Sequence, residues 1–223
     1  MPAALEGKHR VVLMDQRSHG HSADATGPFS FIDDAIEVLD AVGIERAALV
    51  GHSLGAQVAL DLALARPDRV SALVLIGAGI GGLAPSKPPT GFEKMMEALK
   101  RGDVDGAGEI LAGMPVMTLY RDTADQALVR TIVTENDRLF RANPTWVKRL
   151  DPPAVGRLGE LKVPVLVMMG ERDPTESNEA GRVLRERVAG AKGETFPRCG
   201  HLVPIDCGPE AARSLAAFLA RPR

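Results

Sequence analysis

The pentapeptide Gly51-His52-Ser53-Leu54-Gly55 carries the most chemistry per residue in this chain. It reads G-x-S-x-G, with the apolar run Ala47-Ala48-Leu49-Val50 before it and the Ala-rich stretch Ala56-Gln57-Val58-Ala59-Leu60 after it. A serine set on the tight turn between a strand and a helix stands exposed, and small residues at both ends keep the turn's backbone from colliding. A helix that begins just past such a serine aims N–H groups and the positive end of its dipole at the serine oxygen. The spacing predicts a nucleophile at Ser53.

A serine hydroxyl is a weak nucleophile. It needs a base, and the base needs an acid to hold its tautomer and stabilise its charge. In an open α/β sheet such groups come from loops beyond the C-terminal ends of strands. The apolar run 163–169 leads into Gly170-Glu171-Arg172-Asp173-Pro174-Thr175, and a short strand at 194–196 leads into Pro197-Arg198-Cys199-Gly200-His201. The order Ser53, Asp173, His201 is the one that accompanies a G-x-S-x-G elbow. Glu171, longer and nearer the strand end, suits the acid role less well, and the loop at 77–82 holds no carboxylate. Neighbours on a tight turn point in different directions, so His52 is expected to be structural. His19 and His21 form an H-x-H pair with no third ligand at sensible spacing, which argues for a solvated or supporting role. His9 is expected to cap the first strand. No metal and no cofactor are expected.

The elements that must position these residues follow from hydrophobic periodicity. Strands are expected at 10–14, 47–50, 70–76, 163–169 and 194–196, and helices at 31–42, 54–65, 177–188 and 209–220. This β, α, β, α, β rhythm predicts a parallel sheet with helices on both faces. The rhythm breaks at the Gly/Pro-rich linker 81–90. Helices are expected beyond it at 91–101, 104–112, 123–143 and 145–150. Four of the eight methionines fall here (Met95, Met96, Met114, Met117), together with the single tryptophan, Trp146. A Met-rich helical insertion can shape an adaptable apolar pocket, but for any single methionine packing of the insertion onto the sheet is the favoured reading.

Composition bounds the rest. The 223 residues, 45% hydrophobic and 25% charged, suit one domain with a real core and a smaller insertion. A net charge of −2 gives no reason to expect nucleic acid or an anionic membrane surface as partner. No apolar run approaches the ~20 residues of a membrane span. Residues 1–8 lack a signal-peptide core, so a cytoplasmic location is expected. Cys199 and Cys207 are too few for a disulfide framework and read as small buried residues.

Together the motifs resemble the α/β-hydrolase superfamily. The resemblance rests on Asp15-x-Arg17-x-x-Gly20-x-Ser22, Gly51-x-Ser53-x-Gly55, Gly170-x-x-Asp173 and Gly200-His201-x-x-x-x-Asp206-x-x-Pro209-Glu210. Ser18 stands where the family usually has glycine. The resemblance implies an α/β-hydrolase fold, with core segments 1–82 and 161–223 and a helical cap at 83–160. It also implies that Met95, Met114, Met117 and Trp146 contribute to substrate binding. The general tone is similar to small esterases and enol-lactonases.

Family members begin with further strands, one ending in a His-Gly loop whose backbone N–H completes the oxyanion hole. Nothing ahead of residues 10–14 matches it. The Leu54 N–H remains as one oxyanion donor, and its companion has no evident source. For the gap so left beside 47–50, three closures are open. Residues 10–14 shift inward to pair with 48–50, a second molecule supplies a strand, or the natural protein is longer.

The leading expectation is a serine hydrolase cleaving a small carboxylic ester or lactone through an acyl-enzyme. Aspartate at position 53 would mark a dehalogenase, and serine disfavours that. Carbon–carbon bond hydrolysis and cofactor-free peroxidase side activity stay open, since the same triad serves them. The competing class is a truncated or catalytically impaired binding module. The expected partner is a small-molecule substrate, with a homodimer possible.

Overall fold

The structure, a computed structural model, describes residues 2–87, 90–121, 123–136, 138–173 and 175–220. Pro88 and Pro89 of the linker and Pro174 of the loop after Asp173 lie outside the described residues.

Four parallel strands form one sheet in the order β1 (Ala47–His52), β2 (Val70–Ile76), β3 (Val165–Gly170) and β4 (Lys192–Phe196). Alternation along the two central strands sorts side chains between two layers. Leu73 and Leu75 of β2 with Val165, Val167 and Met169 of β3 face helices α2 (Leu54–Ala65) and α7 (Thr175–Arg187). Val74, Ile76, Leu166 and Met168 face helices α8 (Val203–Asp206) and α9 (Gly208–Leu219) on the other side. With helices on both faces, β2 and β3 read as nearly continuous apolar runs and are buried along almost their whole length. Each fully buried Leu or Ile contributes roughly 1.5–3 kcal/mol relative to exposure. The fold is the α/β-hydrolase fold that the motifs imply.

Helix α1 (Phe31–Ala41) starts where expected because Ser30 caps it: the Ser30 hydroxyl accepts a hydrogen bond from the Asp33 N–H at 3.2 Å. Between β2 and β3 the described residues hold helices, turns and one isolated bridge, with no further strand of the sheet. These are α3 (Phe92–Lys100), α4 (Val104–Ala112), α5 (Gln126–Glu135) and α6 (Arg138–Arg141), with short 3-10 turns between them. The single helix expected over 123–143 is thus two, with Asp137 between them outside the described residues. The helix expected at 145–150 does not form. The chain there makes a 3-10 turn at Pro144–Trp146 and then an isolated bridge, in which the Phe29 N–H donates to the Trp146 carbonyl at 2.9 Å and the Lys148 N–H to the Phe29 carbonyl at 2.8 Å. Those bonds take the backbone groups a helix would have used.

The strand expected at 10–14 is also absent. Residues 10–14 run without a ladder partner, and Val11, Val12, Leu13 and Met14 are 37–75% exposed. They do not pair with β1. Between them and the outer edge of β1 lies a cavity of about 680 Å³, lined by Leu5, Val12, Ala48, Val50, Leu62 and Leu215 among others. His9 therefore caps no strand; its N–H closes a turn onto the Leu5 carbonyl. No helix among the described residues is long and apolar enough to cross a membrane.

Candidate active site

Ser53 stands between β1 and α2 with φ 52° and ψ −116°, a left-handed conformation that a non-glycine residue adopts only when its surroundings hold it there. Two restraints do so. The Ser53 N–H donates to the Ile76 carbonyl at 2.9 Å, and the Ser53 carbonyl accepts the first bonds of α2 from Ala56 and Gln57. Gly51 is sterically required, since any side chain there would meet the Gly55 backbone. Gly55 is not. A Cβ at 55 would touch only the Gln16 Nε2, at an ordinary 3.8 Å, which corrects the expectation that both glycines are needed for clearance.

β1 lies in register with β2, His52 opposite Ile76, so Gly77 follows directly beside the elbow. Gly77 has φ +53°, and its α-carbon lies against the His201 imidazole. His201 and Asp173 meet across the ends of β4 and β3. The Nδ1–H of His201 donates to Asp173 Oδ1 at 2.8 Å, with both side chains buried. This sets the tautomer, with the proton on Nδ1 and the Nε2 lone pair able to accept one. Through Gly77 the structure brings the serine turn, the histidine and the aspartate to one end of the sheet.

The competing carboxylates go elsewhere. Glu171 accepts from the Arg198 N–H at 2.8 Å and is exposed. Asp206, buried, ties loops together. Its Oδ2 accepts from the Gly200 N–H at 2.7 Å, and its Oδ1 from the N–H groups of Tyr120 at 2.9 Å and Arg121 at 2.6 Å.

His52 contributes in a way that its position in the motif did not disclose. Its Nε2–H donates to the His201 carbonyl at 3.0 Å, and the two rings sit 4.8 Å apart. Burial, then repulsion from His201, pushes the His52 pKa down to about 4, so it stays neutral as a prop for the His201 loop. Cys199 and Cys207, expected only as small buried residues, are joined as a disulfide bracketing His201, because α8 turns the chain back until their Cα atoms are 6.2 Å apart. The Arg121 guanidinium lies 3.2 Å from the Cys207 sulfur.

Of the four residues expected to meet substrate, Met95 and Met114 pack into the cluster that α3 and α4 share, with Ala98 and Ala107. They fill the insertion's own interior, because helices this short must bury their apolar faces on one another. Met117 instead joins Leu119, Val129 and Leu202, the residue next to His201. Trp146 is half-buried beside Phe29 in the bridge described above. The insertion is latched to the loop at 15–24 as well. Asn136 Oδ1 accepts from the Gly20 N–H at 2.7 Å, and Arg138 donates to Asp24 at 2.7 Å and to the Gly20 carbonyl at 2.6 Å. In that same loop the His19 ring bonds the Arg17 carbonyl at 3.0 Å, a supporting role.

Known proteins resemble this chain in sequence and fold. The chain is 33% identical to a 2-hydroxy-6-oxononadienedioate/2-hydroxy-6-oxononatrienedioate hydrolase of Burkholderia vietnamiensis, over 96% of this chain and 77% of that protein. It is 35% identical to the protein of the same name from Paraburkholderia phymatum, over 95% of this chain and 76% of that protein. Among solved structures, a hydrolase from Pseudomonas aeruginosa superposes with a TM-score of 0.79 at 25% identity, covering 98% of this chain and 83% of the other. The enol-lactonase of Burkholderia xenovorans has the same fold, with a TM-score of 0.74 at 21% identity, over 93% of this chain and 79% of that one. Residues 1–215 match the model of the alpha/beta hydrolase family, and the chain belongs to that family.

Proposed function

We propose that the protein is a serine hydrolase that cleaves a small carboxylic ester or lactone through an acyl-enzyme on Ser53. The observation that carries this reading is the buried His201–Asp173 pair at 2.8 Å, set at the same sheet end as the strained Ser53 turn. Ser53 Oγ adds to the carbonyl carbon while its proton passes to His201 Nε2, and the carbonyl's π pair becomes an oxyanion facing the Leu54 N–H at the start of α2. Collapse restores the carbonyl and expels the alkoxide, which takes the proton back from His201. Water, deprotonated by the same nitrogen, then releases the acid. Asp173 orients the imidazole and stabilises its charge throughout. Residues 83–160 act as the cap, with Met117, packed with Leu202 beside His201, better placed than Met95 and Met114 to meet substrate.

A second reading is hydrolysis of a carbon–carbon bond beside a ketone by the same triad, prompted by relatives at 33% and 35% identity that are named hydrolases of 2-hydroxy-6-oxononadienedioate and 2-hydroxy-6-oxononatrienedioate. Such dienedioates carry two carboxylates that need cationic partners. Near the site loops Arg17 is paired with Asp34, Arg138 with Asp24 and Arg121 with Glu210, while Arg172, next to Asp173, lies over the Tyr120 ring and is the guanidinium open to such a carboxylate.

The test is a panel of p-nitrophenyl esters, lactones of graded ring size and a 2-hydroxy-6-oxo-dienedioate, with Ser53→Ala as the control. Ester or lactone turnover that falls by several orders of magnitude in the variant supports the reading. Turnover of the dienedioate alone would replace it with the second. Turnover that survives in Ser53→Ala would overturn both.

A further inference from the structure

We propose that the Cys199–Cys207 disulfide is a site of reversible thiol–disulfide exchange with small thiols, and that it sets the activity of His201: the bridged protein is active and the reduced protein is impaired. This rests on the proposed roles of Ser53 and His201. These two cysteines are the only ones in the chain, eight positions apart, and His201 lies between them. The bridge therefore closes a short ring of backbone that contains the proposed base. The ring reaches the acid as well. The Cys199 carbonyl accepts from the N–H of Arg172, the residue before Asp173, at 2.8 Å. The loops of base and acid thus meet at a bridged cysteine.

Exchange needs a thiolate to attack one sulfur while the other leaves carrying the electron pair. The structure distinguishes the two sulfurs. Cys207 caps the N-terminus of the 12-residue α9, where the helix dipole favours negative charge. Independently, Arg121 Nη1 lies 3.2 Å from the Cys207 sulfur and 3.6 Å from that of Cys199. Both features stabilise charge on Cys207, which makes it the leaving group and Cys199 the sulfur attacked. Access runs beside Arg121. The cysteines are buried, but the guanidinium over them pairs with Glu210 at the surface, where the two side chains are 29% and 37% exposed. Exposed pairs of this kind hold weakly, so a swing of Arg121 uncovers the bridge.

In reduction, one thiolate of a small dithiol bonds to Cys199 Sγ as the protein's S–S bond breaks, and the electron pair leaves on Cys207. The reagent's second thiolate then displaces Cys199 and closes a disulfide within the reagent. Two electrons pass to the protein, and the dithiol's two protons end on the cysteines or in solvent. A small disulfide such as oxidised glutathione takes both electrons back and departs as two thiols. With the bridge open, the loop rests on hydrogen bonds such as Gly200 N–H to Asp206 at 2.7 Å and His52 to the His201 carbonyl at 3.0 Å. A Cys207 thiolate also pulls on Arg121, whose backbone N–H donates to that same Asp206 carboxylate. The imidazole loses its fixed place, and a misplacement of about 1 Å can cost about 10²-fold in rate.

The experiment follows turnover of p-nitrophenyl acetate and the rate at which a fluorophosphonate labels Ser53. Wild-type protein is equilibrated with graded ratios of reduced to oxidised dithiothreitol and then returned to oxidised glutathione, while alkylation and mass spectrometry count the thiols. Expected is one two-thiol transition, with kcat and labelling rate falling about 10–100-fold alongside the bridge, KM changed less than about threefold, and both rates restored on reoxidation. A sample quenched during reduction by glutathione should carry the glutathione mass on Cys199, and the same mass on Cys207 would overturn the assignment of the leaving group. Cys207→Ala should be slow in either buffer and indifferent to dithiothreitol. Full reduction that leaves both rates unchanged overturns the proposal, as does a pair that stays reduced in oxidised glutathione or a dithiothreitol response that persists in Cys207→Ala. Loss of far-ultraviolet circular dichroism on reduction overturns it too, making the bridge a staple of the fold. Wild-type protein labelled elsewhere than Ser53 overturns the proposed function, and the link from bridge to catalysis with it.

Discussion

The backbone of Gly77 is a wall for the imidazole of His201. A Cβ built on Gly77 would stand 2.8 Å from the ring's Cε1 and 2.9 Å from Nδ1, closer than real Cβ atoms approach, and 3.2 Å from Asp173 Oδ2. Glycine here is set by the histidine as much as by the +53° φ of the turn.

Gly77→Ala should therefore damage activity more than stability. An alanine at positive φ costs about 1–2 kcal/mol, whereas displacing the ring by about 1 Å can cost about 10²-fold in rate. The expected result is a folded variant with a modestly lowered unfolding midpoint and kcat reduced about 100-fold or more. A variant with wild-type kcat would show that the ring has room that the contact distances deny.

Asp206→Asn should loosen the His201 loop. One carboxylate oxygen becomes an amide N–H₂ facing backbone N–H donors of Gly200 or of Tyr120 and Arg121, leaving buried groups unsatisfied at about 1–3 kcal/mol. Denaturant unfolding should show that loss. Asp173→Asn, in contrast, should collapse kcat by about 10⁴-fold with little effect on stability, since it disturbs the tautomer of His201 and not the loops.

Asp61, buried on α2, has its pKa pushed up to about 6 by burial, partly offset by a hydrogen bond from Gln57 and by the charge of Arg149. Below its unfolded value of 3.8 the group is neutral in both states and costs nothing. As pH rises from there through about 6, the unfolded chain gives up the proton first, and the native state loses stability. Asp61→Asn should remove that slope. Urea unfolding is expected to show the variant gaining about 1–3 kcal/mol over wild type at pH 7.5 relative to pH 4. Parallel curves for the two proteins across that window would rule the account out.

Arg138→Ala should weaken substrate capture. Its guanidinium holds α6 to Asp24 and to the carbonyls of Gly20 and Ser22 on the loop beside the elbow. Freed of that latch, the insertion should close less often over the site, raising KM severalfold with kcat within about threefold. As an exposed pair it should cost under about 1 kcal/mol in stability.

Sequence and structure agree where patterns are local. The elbow, α2 and β2 were readable because each carries its own signal: glycine spacing, an Ala-rich helical run, and an apolar strand covered on both faces. The order of Ser53, Asp173 and His201 was readable because each follows a strand. Residues 10–14 show the limit of that reasoning. Their apolar run is indistinguishable from a strand until a ladder partner is found, and no partner is written locally. The bridge from Phe29 to Val147 joins residues far apart in sequence, so nothing near Trp146 announces that a helix cannot form. The contact of His52 with the His201 carbonyl and the Cys199–Cys207 pairing were hidden for the same reason, since each involves a group brought near only by tertiary packing.

Asp206 accepts from the loop that carries His201 and from the backbone at Tyr120 and Arg121 with one carboxylate. The two halves of the molecule therefore share a keystone at that point. Exchange of the α3 to α5 segment between relatives, by recombination or by design, therefore has to bring backbone N–H groups to the positions of Tyr120 and Arg121, which lie inside it. A transplant whose chain takes another path there would leave one oxygen of the Asp206 carboxylate without its donors and slacken the turn that His201 stands on.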